Sequence, residues 1–234
     1  MITDENEITG QVPYQEVIGS LLYLANATRP DLSFSTSDMS RFNVKHAEAH
    51  WTGVKRILRY IKGTADYKLR FHRSGENQML HAFCDADWGS ETDGRKSRTG
   101  YVLMMSGAAI SWSSKMQPIV ALSSTEAEYI SLSAVTREII WTTQLAGEIG
   151  EKQEPVTIYC ENNSAIQLGE LEAYRPRTKH IDIRYHHIRQ QIQQGVIRLE
   201  HISTNLQTAD ALTKAVTGDK TKFCSTGMGL SETE

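Results

Sequence analysis

Cysteine is scarce: Cys84, Cys160 and Cys224 are the only three in 234 residues, and no two of them stand at C-x-x-C spacing. An odd count without that spacing argues against both a disulfide framework and a structural zinc site, and leaves buried, reduced thiols as the reading. No uninterrupted apolar run approaches the roughly 18 residues needed to cross a bilayer, and the start from Met1 to Glu7 is acidic and polar where a signal peptide is basic and then apolar. The expectation is a soluble intracellular chain, in the cytoplasm or the nucleus. Nor is there a global excess of positive charge, since 25 Lys and Arg against 28 Asp and Glu leave −3. Affinity for nucleic acid therefore has to come from local charge. No G-x-S-x-G elbow accompanies Ser123 or Ser124, which removes a hydrolase triad, and His180, His186 and His187 lack a cysteine pair for zinc. There is no internal repeat and no low-complexity tract. What is present is 39% apolar content over this length, enough to bury the core of one large domain or two modest ones.

Charge is unevenly spread. From Arg41 to Arg73 there are nine Lys or Arg against only Glu48 and Asp66. In this stretch Trp51, Val54, Leu58 and Ile61 recur at i, i+3, i+7, i+10 on one helical face, with Lys55, Arg59 and Lys62 on another, and Gly63 as the stop. Earlier helices are expected over Tyr14 to Ala25 and Leu32 to Phe42, separated by Arg29-Pro30-Asp31. Residues 1–65 thus read as all-helical. Short strands follow, at Lys68 to His72, Met79 to Cys84, Gly100 to Met105 and Ala108 to Trp112, the last two joined at Ser106-Gly107 as a hairpin. Ser123 to Glu126 is a capping box that opens a helix to about Leu145. Then come a strand from Val156 to Cys160, helices over Ser164 to Leu171 and Ile181 to Gln193, a strand from Val196 to Ile202 and a last helix around Ala209 to Lys214. Strands in a run, then helices alternating with single strands, indicate an α/β fold with a mixed sheet flanked by helices. The boundary is expected between Gly63 and Tyr67, and the tail past Thr217 is expected to be weakly ordered.

Four acids fall where acids are costly. Asp85 terminates the strand from Met79, Glu128 shares a helix face with Leu132, Val135 and Ile139, Glu161 terminates the strand from Val156, and Asp210 begins the last helix. Each has an ordinary explanation: a strand-end turn with Asp87 as rival, a T-x-x-E capping partner of Thr125, a surface carboxylate before Asn162-Asn163, a first-turn acid favoured by the helix dipole. Together they carry more weight. Two strand ends and two helix starts can meet at one edge of a mixed sheet, and such a set of hard oxygens selects magnesium. Cys84 and Cys160 each precede one of these acids, and strand alternation turns both thiols the other way, into the packed face.

The run Cys84-Asp85-Ala86-Asp87-Trp88-Gly89, with the stretches Arg95 to Tyr101, Ala109 to Lys115, Ala121 to Tyr129, Lys179 to His186 and Thr208 to Lys214, resembles the ribonuclease H domain of copia-type LTR retrotransposon Pol polyproteins. Gly19 to Leu24, Thr28 to Asp31 and Val54 to Thr64 resemble the segment that follows the reverse-transcriptase palm in the same polyproteins. The resemblance spans about Val12 to Lys214. It implies a thumb- or connection-like helical segment over 1–65 and a ribonuclease H-like five-stranded mixed sheet over 66–217, and the chain pattern leaves 218–234 as an expected disordered tail. It also implies cleavage of the RNA strand of RNA–DNA hybrids by two Mg²⁺ ions, replaceable by Mn²⁺ and held roughly 3.5 to 4 Å apart by Asp85, Glu128, Glu161 and Asp210. The partners implied are the hybrid itself and the rest of a Pol polyprotein, its palm and its integrase. Lys55, Arg59 and Lys62, with Lys179, Arg184 and Arg189 of the basic segment Arg175 to Arg198, are placed to follow phosphates. Asn162 and Asn163 are placed to contact 2′-hydroxyl groups. One position departs from the pattern: the family carries Asp where this chain has Glu161, and one methylene shifts a carboxylate by ~1 Å, beyond the roughly 0.5 Å to which a working site is held. That departure keeps open a rival reading, a hybrid-binding remnant with weakened or lost catalysis. An integrase-type polynucleotidyl transferase shares the metal chemistry, but the fourth acid Asp210 and the lack of an upstream His/Cys segment speak against it.

Overall fold

Tyr14, Ile18, Leu21 and Ala25 recur every three or four residues, and in the computed structural model they form the buried face of the first helix, α1 (Tyr14–Ala27). The structure describes residues 8, 10–73, 79–90, 94–150, 154–170 and 182–232. Pro30 fixes a short 3-10 turn, Pro30–Leu32, so the second helix, α2 (Ser33–Ser40), begins after Leu32 and is shorter than its expected span. The third, α3 (Glu48–Gly63), packs Val54 and Ile57 on α1 with Trp51, Tyr60 and Ile61 beside them. Leu58, expected in that seam, is exposed, because the buried positions of the helix are 54 and 57, with 61 half-buried beside them.

The strands are β1 (Lys68–Leu69), β2 (His81–Asp87), β3 (Arg98–Met105), β4 (Ala108–Met116), β5 (Val156–Cys160), β6 (Ile197–His201) and β7 (Leu230–Ser231). Five of them form a mixed sheet in the order β4-β3-β2-β5-β6, with β4, β3 and β2 an antiparallel meander and β2, β5 and β6 parallel. The helices that complete the fold are α4 (Ser124–Glu148), α5 (Asn163–Glu170), α6 (Asp182–Gln193) and α7 (Gly218–Gly227). This is the α/β sheet flanked by helices that the sequence pattern and the resemblance lead one to expect. None of the described helices is long and apolar enough to cross a membrane. On one face α4 buries Tyr129, Leu132, Val135 and Ile139 against Ala82, Cys84, Leu103, Ile158 and Cys160, with Ile188 of α6 completing the cover.

The other face corrects the expectation for the C-terminus. Residues 218–232 are ordered: α7 places Cys224, with Met228 just beyond it, over Val102, Met104 and Ala109, and β7 pairs with β1. Gly229, at φ +84, makes this possible, since a Cβ there would lie 2.6 Å from Ala108 Cα. The segment holds few apolar residues, and Cys224, Met228 and Leu230 are buried while Phe223 stays exposed. The expected last helix is instead a 3-10 turn, Thr208–Leu212, and Asp85 lies inside β2 rather than beyond its end.

That turn comes unusually close to the sheet at Gly100, the residue paired with Asp85. A Cβ on Gly100 would meet Thr213 Cγ2 at 2.5 Å and Leu212 Cβ at 2.9 Å. Gly100→Ala is therefore expected to cost about 1 to 3 kcal/mol by overpacking and to push Asp210 away from Asp85. Denaturant unfolding measures the first effect and loss of metal affinity the second; an Ala variant as stable as wild type contradicts the close approach.

Helical segment and sheet are joined by polar contacts. Trp112 Nε1 donates to the Ala25 carbonyl (2.8 Å), and buried Arg98 pairs with Asp38 (3.0 Å).

Candidate metal centre

Strand alternation sends Asp85 to the face opposite α4, where it is 3% exposed. Its backbone is clamped by Ser131, whose hydroxyl donates to the Asp85 carbonyl at 2.8 Å, and by Gln207, whose amide donates to the Cys84 carbonyl at 3.0 Å. Glu161 follows the last residue of β5, and the 3-10 turn delivers Asp210. One carboxylate oxygen from each of Asp85, Glu161 and Asp210 falls within 4.8 Å of the others. Three acids separated by up to 125 positions in sequence thus share one small volume at the rim of the sheet.

Their surroundings show how the chain tolerates this. Asp85 Oδ2 accepts a hydrogen bond from Thr213 Oγ1 and lies 3.5 Å from Lys214 Nζ. Lys214 Nζ is also 2.5 Å from Asp210 Oδ1, and Lys220 Nζ is 3.0 Å from Asp210 Oδ2. Burial pushes the Asp85 carboxyl up, aided by the Asp210 charge, against the pull of Lys214 and Thr213. Glu161 is raised likewise, by burial and by the charges of Asp210 and Asp85, against the hydrogen bond that its Oε2 accepts from Thr204 Oγ1 at 2.9 Å. Lys214 is held above its ordinary value: burial works against its charge, but Asp85 and Asp210 outweigh it.

These oxygens fit a hard divalent cation. Glu161 Oε1 is buried and has no hydrogen-bond partner among the described residues, and a buried acceptor left without a donor normally marks an unfilled requirement. Together with the Asp85 and Asp210 carboxylates it makes an all-oxygen donor set of the kind Mg²⁺ takes.

Glu128 stands beside this group rather than in it. Its carboxyl accepts from the Cys160 thiol (Sγ to Oε2 3.8 Å), on the side of β2 that α4 covers. The two thiols do lie in the packed face, but α4 brings Glu128 down onto one of them. Burial first, then Cys160, Asp85 and Glu161, raise the Glu128 carboxyl well above the ordinary carboxylate range. Since its folded value lies above the unfolded one, stability falls as pH rises from the ordinary carboxylate range through that raised value. In the absence of metal, Glu128→Gln is expected to raise the melting temperature at neutral pH and to flatten its dependence on pH over that window. Melting curves in chelator across acid and neutral pH test this; a lowered midpoint at neutral pH contradicts it.

The residues expected to bind nucleic acid are dispersed. Arg59 and Lys62 are exposed on α3, and Lys55 is ion-paired with Glu48 at 3.2 Å. Asn162 Oδ1 accepts from the Ala165 N–H at 3.1 Å, capping α5, and Asn163 is exposed. Arg184 lines a groove of about 660 Å³ with Lys115, Arg137 and His187. Arg189 is turned inward instead, donating to the Leu168 carbonyl at 3.2 Å from both Nε and Nη2. Lys179 lies outside the described residues. Sequence reasoning missed Thr213, Lys214, Lys220 and Gln207. The first two stand in the very stretch that carries Asp210, where only the acid had been read for chemistry.

No protein-family model matches the chain. Among curated proteins it is 42% identical over 227 residues to the retrovirus-related Pol polyprotein from transposon TNT 1-94 of Nicotiana tabacum, covering 97% of this chain and 17% of that protein. It is 43% identical over 202 residues to the retrovirus-related Pol polyprotein from transposon RE2 of Arabidopsis thaliana, covering 86% of this chain and 14% of that one. The chain thus spans under a fifth of the length of these relatives. Among solved structures, LC11-RNase H1, isolated from compost by a metagenomic approach, aligns with 58% of this chain and 93% of its own, at a TM-score of 0.45 and 16% identity. With more than four residues in ten shared over nearly its whole length, the chain belongs to the retrovirus-related Pol polyproteins of copia-type transposons.

Proposed function

We propose that the chain is the ribonuclease H portion of a copia-type Pol polyprotein, joined to the helical segment that precedes it, and that it hydrolyses the RNA strand of RNA–DNA hybrids. The observation that carries this reading is the meeting of Asp85, Glu161 and Asp210 within 4.8 Å. Asp85, Glu161 and Asp210 would hold divalent cations, with Glu128 alongside. Bound Mg²⁺ supplies the positive charge that polarises a phosphodiester and makes a water acidic enough to attack it. The protein's own part is geometric. The backbone clamps from Ser131 and Gln207 fix Asp85, Thr204 fixes one oxygen of Glu161, and Lys220 fixes one oxygen of Asp210. The exposed face of α3 and the groove around Arg184 offer positive charge to phosphates, a contact without sequence preference. Asn163 and the amide nitrogen of Asn162 are suited to 2′-hydroxyl groups, which distinguish RNA from DNA. The helical segment belongs to residues 1–65 in this proposal, and the ribonuclease H portion begins at 66.

The test is hydrolysis of a labelled RNA–DNA hybrid beside matched double-stranded DNA and RNA, with Mg²⁺ and with Mn²⁺. Metal-dependent cleavage of the hybrid alone supports the proposal; equal cleavage of all three substrates removes the ribonuclease H assignment. The second reading, a hybrid-binding remnant, is favoured by Glu161 itself, one of whose oxygens is engaged by Thr204. Because one Glu161 oxygen already lies within 4.8 Å of Asp85 and Asp210, Glu161→Asp is expected to lower cleavage, withdrawing the carboxylate by ~1 Å, past the tolerance of such sites. A silent wild type restored by that same substitution establishes the remnant instead.

A further inference from the structure

We propose that Lys214 is a tethered counter-ion that fills the cation position between Asp85 and Asp210 in the metal-free protein, and that it swings out when a divalent ion binds. This rests on the metal-centre reading above. Lys214 Nζ lies 2.5 Å from Asp210 Oδ1 and 3.5 Å from Asp85 Oδ2, oxygens of the two most deeply buried acids of the cluster. Carboxylates this close and this dry repel one another unless a cation lies among them. Here the chain supplies one: Lys214 follows Asp210 by four residues, and the end of the 3-10 turn at Leu212 folds its stem back over the acids.

Two lysines reach the cluster, and the structure gives them different roles. Lys220 is anchored by three acceptors, Asp210 Oδ2, the Thr204 carbonyl (2.6 Å) and the Asn205 carbonyl (3.2 Å), and its side chain is 20% exposed. It remains in place with or without a metal, holding Asp210 and tying α7 to the site. Among the described residues Lys214 has only the two carboxylates as ion-pair partners, and its side chain is 37% exposed, so a flexible four-carbon stem has both a reason and a route to leave. An ammonium group and a divalent cation cannot occupy the same space between these oxygens. The lysine therefore keeps the acids assembled before metal arrives, and it lowers metal affinity, since each ion that enters has first to break this pairing.

Titration calorimetry with Mn²⁺ on the whole chain tests the competition. Lys214→Met is expected to bind Mn²⁺ roughly tenfold more tightly than wild type, a change of about 1.4 kcal/mol, while Lys220→Met binds no more tightly. Should Lys214→Met fail to fold, acylation of wild-type lysines read by mass spectrometry decides the matter: Mg²⁺ is expected to speed modification of Lys214 several-fold and leave Lys220 unchanged. Equal or weaker Mn²⁺ binding by a folded Lys214→Met, or a Lys214 acylated no faster with Mg²⁺, overturns the proposal. Asp85→Asn separates the two levels of failure. Binding that depends on Asp85 but ignores Lys214 removes the counter-ion and keeps the metal centre; binding indifferent to Asp85 removes both.

Discussion

Replacing Asp85 with Asn is expected to lower Mg²⁺-dependent hybrid cleavage by at least about a thousandfold, the upper end of what losing one preorganised electrostatic contact costs, while the protein stays folded. Asn has the shape of Asp and can still accept the hydrogen bond from Thr213, and Ser131 and Gln207 hold the backbone of β2 regardless of the side chain. The charge alone is lost. Asp85 is the central member of the cluster in this respect: it is inside a strand of the sheet, whereas Glu161 and Asp210 stand at the mouths of connecting segments. Initial rates on a labelled hybrid, with circular dichroism as the folding control, measure the effect. Activity within about tenfold of wild type, a difference of only some 1.4 kcal/mol in the barrier, means that the cleavage arises elsewhere.

Part of this arrangement was legible in the sequence, for reasons that differ from element to element. The start of α4 was legible because its signal is local: Ser123 Oγ accepts from the Glu126 N–H at 3.1 Å, and Glu126 Oε2 accepts from the Leu122 N–H at 2.7 Å, the reciprocal cap that Ser123 to Glu126 announces. The strands were legible as short apolar runs set off by turn residues, and alternation assigned Cys84 and Cys160 to the packed face. Alternation names a face, however, and says nothing of what covers it. Glu128 therefore came down beside Cys160, short of the other three acids. The C-terminal tail was misread because α7 buries only a few side chains, too few to form a helical stripe. Their value comes from the sheet beneath them, which no local pattern reports. Lys214 and Lys220 were invisible for a related reason: a lysine is ordinarily a solvated group, and only the fold shows that these two face carboxylates.

Asp31→Ala is expected to destabilise the protein by roughly 3 to 5 kcal/mol, the cost of leaving a buried charge without its partner. The Asp31 carboxylate accepts from Arg29 Nε (2.9 Å) and Nη2 (2.7 Å) and from Tyr60 Oη (2.8 Å), and the Arg29 and Asp31 side chains are 5% and 1% exposed. Arg29 also donates to the Thr64 carbonyl (3.0 Å) and hydroxyl (2.7 Å), so one guanidinium closes the end of α3 onto the turn after α1. Burial, with the Asp31 charge behind it, pushes the Tyr60 hydroxyl up to about 12; removal of Asp31 should let it titrate closer to its ordinary value. At 2 to 4 °C per kcal/mol for a chain of this size, the melting temperature should fall by roughly 10 °C. A double variant, Arg29→Met with Asp31→Leu, separates an orphaned charge from lost packing: it should recover much of the loss, because apolar residues of similar volume often replace a buried ion pair at little cost. The network also extends toward the acids. Tyr60 Oη lies 3.4 Å from Ser225 Oγ on α7, the helix whose first turn sends Lys220 to Asp210. Hydrogen exchange along α7 should therefore quicken in Asp31→Ala, and more than it does along β6, on the far side of the sheet. An Asp31→Ala protein that melts within about 2 °C of wild type, less than a single kcal/mol on the same scale, shows that the buried pair does not hold the end of α3 to the turn after α1.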